Sequence, residues 1–494
     1  MRRIHVLFDE WLKKDPQRAF IHLKDDAPIT FERLGRLTNQ AEAELKENGV
    51  GVGDRVMAVV ENCPEHVALI LACSRLGAWS CGVNARMSPG EIVAYAAKAD
   101  PKVMYFTDEA QAGRWHAAPS SLAGLKVVRS EKETRPETGE LADKVAAIIF
   151  TSGTSGTPKG VMMTHDGVMH FGRVSAESRE LGPDDRSYAY LPMTHIFGLG
   201  TVLMSSLYAG SGLVMRRRFE AADALDALEH HGVSQLQGPP QFFARLLAHM
   251  EEKRISRPVA PKLRYVYTGA GPLDLALKRR VEAAFGLPLH HGYGLSEYAG
   301  SVHVSRLNER RDDTSAGYRF EGAELRIVDP HTGRDLPAGE RGEIWLRGRG
   351  LMPGYFRDET ATREVMREGG WYASGDLGEL APDGALFVVG RLKEMIIRSG
   401  FNVYPAEVEA VLHAFPGIER AAVVGRKEPD GNEQVLAFVE LRHGASLDQA
   451  ALRAHLEENL APYKRPAMVK AVPELPVSTS GKLIKRRLLE LYPA

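Results

Sequence analysis

The run Thr151-Ser152-Gly153-Thr154-Ser155-Gly156-Thr157-Pro158-Lys159-Gly160 follows directly on an apolar stretch over 145–150. A loop of hydroxyls and glycines presents many N–H and O–H donors, and Lys159 adds a point charge at its end. A polyphosphate needs that combination. The glycines have the wrong spacing to Lys159 for a Walker A loop, and no Lys-Ser/Thr pair opens a helix there. Hydrolase chemistry finds no support, since the chain has no Gly-x-Ser-x-Gly elbow. A second candidate is Gly292-Tyr293-Gly294-Leu295-Ser296-Glu297. Its two glycines let the backbone approach a flat ligand, and the Tyr293 ring can stack on one. A third is Lys482 in Thr479-Ser480-Gly481-Lys482, where Ser-Gly allows a tight turn that projects one lysine. The last 31 residues carry seven basic and two acidic side chains. Lys485, Arg486 and Arg487 therefore read as a solvated basic tail.

Ser187 to Met215 forms a run of 29 residues without a charge. The length would suit a membrane span. Pro192, His195, four glycines and several hydroxyls break it, so it reads as a buried pocket or core segment. His195, taken alone, reads as a satisfied core residue.

These residues need a scaffold. Phe31, Leu34, Leu37, Ala41 and Leu45 recur at spacings of three and four, and Gly49 stops the pattern. This predicts a helix over 31–48. A strand over 55–60, a buried helix over 64–76 and short strands over 102–106 and 126–128 follow. The alternation implies an α/β fold with a largely parallel sheet. A second such run covers about 185–295. From 317 to 389, strands over 324–328, 342–347 and 386–389 alternate with Gly, Pro and Asp turns, which predicts a small β-rich subdomain. Asp376 falls there in a turn between strands. Beyond 393 the pattern changes to helices over 406–414 and 447–460 and strands over 420–424 and 435–441. Residues 1–392 are thus expected to form one domain and 393–494 a second.

Composition narrows the function classes. With 494 residues and 44% hydrophobic content the chain can bury a large core. Its 63 basic and 64 acidic residues nearly cancel, so there is no basic excess for non-specific nucleic-acid binding. Cys63, Cys73 and Cys81 make an odd count without a Cys-x-x-Cys pair. They read as small buried hydrophobes in a reducing, cytoplasmic setting rather than as disulfides or zinc ligands. Asp9 and Glu10 interrupt the N-terminal apolar run too early for a signal peptide.

The 151–160 loop resembles the signature of the acyl-adenylate-forming (AMP-binding) superfamily, acyl-CoA synthetase branch. Further motifs occur in that family's order: Gly292 to Glu297, Tyr372-Ala-Ser-Gly-Asp376, Gly390-Arg-Leu-Lys393 with Ser399-Gly400 and Tyr404-Pro405-Ala-Glu407, and Ser480-Gly481-Lys482. The resemblance spans essentially the whole chain. It implies a large N-terminal domain of two α/β subdomains plus a β-barrel, and a small mobile C-terminal α+β domain. It implies ATP, Mg2+ and coenzyme A as cofactors, and no nucleic-acid partner or integral membrane segment. A homodimer is compatible with it.

Residue by residue, the resemblance implies that Tyr293 contacts adenine, Ser296 the α-phosphate and Glu297 magnesium. Gly269, Ala270 and Gly271 would lie beside the adenylate. Asp376 would accept from both ribose hydroxyls and Arg391 would donate to the same sugar. His195 would gate the acyl pocket, and Lys393 would be the hinge. Gly400, Lys464 and Arg465 would meet CoA. Lys482 would bridge the attacking carboxylate and the α-phosphate, because two anions must be brought together. The family more often has Thr where Ser296 stands; serine keeps the hydroxyl.

The implied reaction is ATP-dependent carboxylate–CoA ligation through acyl-AMP. CoA is the expected acceptor because the chain ends soon after Lys482, leaving no room for a carrier domain. The alternative is an adenylating enzyme that loads a separate carrier protein. An amino acid would need a buried carboxylate for its ammonium, and a malonate-like diacid a buried arginine. Neither residue type occurs between Arg186 and Arg216. A hydrophobic monocarboxylate, fatty or aromatic, is therefore expected, with His291 available for one polar contact.

Overall fold

A computed structural model describes the chain except residues 1, 108–111, 113–114, 116, 131–132, 152–157, 399–400, 429–431, 443, 478–482 and 494, and the side chains of 401–402 and 486. The first α/β unit grows from the pattern read above. Thr30 caps the helix Phe31–Glu47 by accepting from the Arg33 N–H at 3.2 Å, and the helix buries Phe31, Leu34, Ala41 and Leu45. The strand Arg55–Val60 is buried at every position and pairs in parallel with Trp79–Asn84 and Val103–Phe106. It lies inside a seven-stranded sheet whose last two strands, Val145–Thr151 and Lys159–Thr164, form an antiparallel hairpin.

The second unit is a nine-stranded sheet. Gly212–Met215, Arg186–Ala189, Gln235–Gly238, Tyr265–Thr268 and Leu289–Leu295 run parallel through its centre. Ala19–His22, from the start of the chain, pairs in parallel with Gly212–Met215 and carries Ile29–Thr30 at the sheet edge. The uncharged stretch becomes a strand, a π-helix over Phe197–Met204, the short helix Ser205–Ala209 and a second strand, and it is largely buried. Among the described residues no helix is long and apolar enough to cross a membrane.

The β-rich segment forms a five-stranded antiparallel sheet from Ala323–Val328, Gly342–Gly348, Met366–Arg367, Trp371–Leu380 and Leu386–Arg391. It is open, with no closed barrel among the described residues. Beyond it, Ile418–Lys427, Glu433–Leu441 and Met468–Ala471 make a three-stranded sheet packed with the helices Pro405–His413 and Gln449–Asn459. Among the described residues the hydrophobic cores separate between Leu386 and Ile396: three clusters end at or before Leu386, and two others begin at or after Ile396. All three cysteines are buried and unpaired.

Candidate active site

Ligands of open α/β sheets collect at the carboxyl ends of the strands. The strand Leu289–Leu295 runs into the 3-10 turn Ser296–Tyr298 and so delivers Tyr293, Ser296 and Glu297 to that end. The buried Tyr293 hydroxyl donates to Asp376 Oδ2 at 2.7 Å, and Arg391 Nε lies 2.9 Å from Asp376 Oδ1. The Asp376 residue is only 6% exposed, so a neutral donor and a cation hold its two oxygens. Burial, reinforced by the Asp376 charge, pushes the Tyr293 hydroxyl well above its ordinary range and keeps it a donor. The same carboxylate raises the Arg391 guanidinium.

Asp376 is not in a turn between strands. It sits within Trp371–Leu380 and pairs across the ladder with Arg391. On the other side the rungs Trp345–Ala373 and Glu343–Leu377 leave extra residues on the Asp376 strand. Ser374, Gly375 and Asp376 thus form a bulge, and Gly375 takes a φ of 70°. Such bulges re-aim a side chain without ending the strand.

Lys159 pairs with Thr151 across the hairpin, at the base of the Ser/Thr/Gly run. Its Nζ lies 4.9 Å from the centre of the Tyr355 ring, and the Tyr355 hydroxyl donates to Glu297 Oε1 at 2.9 Å. The segment bearing Tyr355 is docked by the Phe356 N–H on the Gly160 carbonyl at 2.7 Å. Lys393 follows in the turn Leu392–Glu394. Burial lowers its amine below the usual lysine range, and the charges of Arg391 and Lys159 act in the same direction. Lys159, Tyr293, Glu297, Tyr355, Asp376, Arg391 and Lys393 therefore gather at one place.

The glycines have a further reason. A Cβ on Gly292 would lie 2.5 Å from Tyr267 Oη, and one on Gly294 2.3 Å from the Gly300 carbonyl oxygen. The protein's own hairpin, rather than ligand approach alone, demands glycine there. A Cβ on Gly269 would lie 3.3 Å from the Gly292 carbonyl oxygen, so the two glycine motifs abut, with Ala270 at a φ of 62° and Gly271 beside Pro240.

Other expected residues lie apart or are committed elsewhere. His195 is exposed rather than a core residue, and its Nδ1 accepts from the Phe197 N–H at 3.2 Å where the π-helix starts. Lys464 Nζ is 2.6 Å from Glu407 Oε2. Arg465 donates to the carbonyls of Leu460 and Glu457 at 2.9 Å each. These two basic residues are thus tied down within the C-terminal unit. His291 Nδ1 is 3.0 Å from the Thr314 carbonyl and 3.2 Å from that of Ser315, so its proton is committed to the backbone. Ser152, Gly153, Thr154, Ser155, Gly156, Thr157, Gly400 and Lys482 lie outside the described residues.

Sequence reasoning missed three residues. Tyr355 links the two halves of the cluster, and no local signal marks it. Arg179 lies outside the uncharged stretch yet folds beneath it, 1% exposed, donating to Gln237 Oε1 at 2.5 Å and to the Thr201 carbonyl of the π-helix at 2.6 Å. A buried arginine is thus present after all, supplied from a neighbouring helix end. Lys485 is not a solvated tail residue, since its Nζ lies 2.7 Å from Glu409 Oε1 and 3.3 Å from Glu394 Oε2.

Residues 8–356 match the family model described as AMP-binding enzyme, and residues 407–482 match its C-terminal domain. The chain belongs to the AMP-binding enzyme family. It falls in the acyl-CoA synthetase branch and is an acid–thiol ligase by class. It is 32% identical to 4-coumarate–CoA ligase 1 of Solanum tuberosum over 92% of this chain and 88% of that one. A feruloyl-CoA synthase of an Amycolatopsis species is also 32% identical, covering 92% of each. Among solved structures, ATP-bound MatB from Rhodopseudomonas palustris superposes with a TM-score of 0.88 at 28% identity over 99% of both chains. The o-succinylbenzoate CoA synthetase of Bacillus subtilis with its acyl-adenylate gives 0.84 at 26%, over 98% of this chain and 97% of that one.

No group of three or more His, Cys, Asp or Glu residues able to hold a metal occurs among the described residues. Glu297 offers one carboxylate with Oε1 already accepting from Tyr355. That donor set suits a hard cation that takes its remaining ligands from phosphate oxygens and water, as magnesium does.

Proposed function

We propose that the protein is an ATP-dependent carboxylate–CoA ligase acting on an apolar, aromatic monocarboxylic acid by way of acyl-AMP. The convergence of Tyr293, Asp376 and Arg391 with Lys159, Tyr355 and Glu297 carries the reading. One half of that cluster offers a ring and a carboxylate to a nucleoside, and the other a cation and a carboxylate to a polyphosphate. In the first step a substrate carboxylate oxygen attacks the α-phosphorus of ATP, a C–O–P linkage forms and pyrophosphate leaves. Lys159 and the hydroxyls of its loop hold the polyphosphate. Tyr293 packs on adenine, and Asp376 exchanges its internal donors for the two ribose hydroxyls. Ser296 donates to the α-phosphate. Glu297 would hold magnesium, whose charge offsets that of the phosphates when bound. Lys482 bridges the two reacting anions. In the second step the C-terminal unit turns about Lys393, the CoA thiolate attacks the acyl carbon, and AMP leaves.

The acid assignment rests on the uncharged wall over 187–215 and on the kinship with enzymes named for coumarate and ferulate. Arg179 does not speak for a diacid, because its terminal nitrogens are engaged by Gln237 and Thr201. His195, at the start of the π-helix, gates the acyl side. The test is pyrophosphate release and CoA-thioester formation with a phenylpropenoate, benzoate, octanoate, palmitate, phenylalanine and malonate side by side. A phenylpropenoate should give the highest kcat/KM. Higher values for phenylalanine or malonate than for every apolar monoacid would overturn the acid assignment. Pyrophosphate release without CoA-thioester formation would overturn the acceptor.

A further inference from the structure

The swivel assigned to Lys393 is bracketed by an anchor on each side. Upstream, Arg391 is held by backbone ladder pairing with Asp376. Downstream, Lys485 Nζ lies 3.3 Å from Glu394 Oε2 and 2.7 Å from Glu409 Oε1. Glu409 stands on the helix Pro405–His413, and its Oε1 also accepts from the Val423 N–H at 2.7 Å. The bridge therefore continues into the strand Ile418–Lys427. Lys485 opens the 3-10 turn Lys485–Arg487, which leads to the fully buried Leu488. The Lys485 side chain is 18% exposed and that of Glu409 12%, so water screens this pair poorly. A second tether follows, with the Ile397 N–H donating to Glu433 Oε2 at 2.7 Å. Between the anchored Arg391 and the anchored Glu394 lie only Leu392 and Lys393.

We propose that Lys485 is a positioning residue for the second step: it fixes Glu394 to the body of the C-terminal unit, confines the swivel to Leu392 and Lys393, and makes the unit turn as one piece. Two carboxylates face this ammonium. Without it they repel each other, Glu409 is left buried without its cation, and Glu394 swings free. A rotation at Lys393 is then spent in the turn Leu392–Glu394 instead of carrying the domain. The inference rests on the ligase reading above.

The experiment uses full-length Lys485→Met, Lys485→Arg, Glu394→Gln and the double variant Glu394→Gln/Lys485→Met. Acid-dependent ATP–pyrophosphate exchange reports the first step. Single-turnover reaction of preformed acyl-AMP with CoA reports the second. Lys485→Met should slow the second step roughly tenfold or more, the scale of coupling between contacting charges. Pyrophosphate exchange should fall less, and Lys485→Arg should restore both. The double variant should be no slower than the slower single one. If Lys485→Met does not fold, Glu394→Gln, which leaves Glu409 paired, should slow the second step in the same sense. An unchanged second step in a folded variant, equal loss in both steps, or losses that multiply in the double variant would overturn the proposal. A wild-type enzyme without acid-dependent exchange would overturn the ligase reading itself.

Discussion

Replacing Asp376 by asparagine keeps the shape of the side chain and removes its charge. The native carboxylate accepts from Tyr293 Oη at 2.7 Å and faces Arg391 Nε at 2.9 Å. In the proposed reaction two ribose hydroxyls take over those oxygens when ATP binds. An asparagine can still accept through Oδ1, but its Nδ2 is a donor and cannot receive the second hydroxyl. A hydrogen bond to a charged group is worth about 1.5–3 kcal/mol net and a neutral one about 0.5–1.5 kcal/mol, so one hydroxyl loses about 1–1.5 kcal/mol and the other, left without an acceptor, about 1.5–3 kcal/mol, together about 2.5–4.5 kcal/mol. That is roughly 60- to 2000-fold in ATP affinity. The ribose is remote from the reacting phosphorus, so the loss should appear in KM for ATP more than in kcat. Stability should change little, since the Arg391 side chain is 41% exposed and water takes over its charge. The assay is initial-rate pyrophosphate release against ATP concentration at saturating acid, with thermal unfolding as the folding control. A KM for ATP within about twofold of wild type, or a fall in kcat at unchanged KM, would refute the ribose assignment.

Other outcomes follow from the same geometry. Lys482→Ala should cost adenylation roughly two to four orders of magnitude, while preformed acyl-AMP and CoA react at near wild-type rate; equal loss in both half-reactions would exclude an alternating role. Gly294→Ala places a Cβ 2.3 Å from the Gly300 carbonyl oxygen, so it should destabilise the fold by about 1–3 kcal/mol; an unchanged denaturation midpoint would show that the hairpin has slack. Burial pushes His22, His66 and His290 down to about 4 and His165 and His303 to about 3. In the unfolded chain these groups titrate near 6.5, so below that pH the unfolded state binds more protons than the folded one. Their contribution is complete above pH 6.5 and is lost as the pH falls toward 4, by about 1.4 kcal/mol per histidine per pH unit. Tm should therefore drop steeply from pH 7 to 5, and a flat profile would contradict these burials.

Local pattern was enough for elements whose stabilising partners are near in sequence. The helix over 31–48 was legible because its apolar stripe and its Gly49 stop lie close together in sequence, and it is observed as Phe31–Glu47. Long-range pairing was not legible. Ala-Ser-Gly-Asp376 looks like a turn, and Arg391 on one neighbouring strand and Trp345 on the other keep it in a ladder. Lys485 looks solvated because its two carboxylates, at Glu394 and Glu409, are remote in sequence. Arg179 was not legible because it stands before the uncharged run in sequence, whereas the π-helix is lined from outside its own segment. The glycine motifs could be read from sequence only as room for a ligand, since a Cβ clash with Tyr267 or Gly300 cannot be read from composition.

The pairing of Ile21 with Leu213 sets an order of events during synthesis. The strand Ala19–His22 is among the first made, yet its ladder partner Gly212–Met215 emerges only after the whole first α/β unit. At about 5–20 residues per second that wait is roughly 10–40 s. Through it Phe20 and Ile21, which end wholly buried, have only the two-residue strand Ile29–Thr30 beside them. The first seven-stranded sheet can close in that interval without help from residues 1–30. The nine-stranded sheet cannot finish its edge until a long-range loop is drawn shut, so the slowest native contact of the N-terminal region joins the start of the chain to the strand that closes the uncharged run over 187–215.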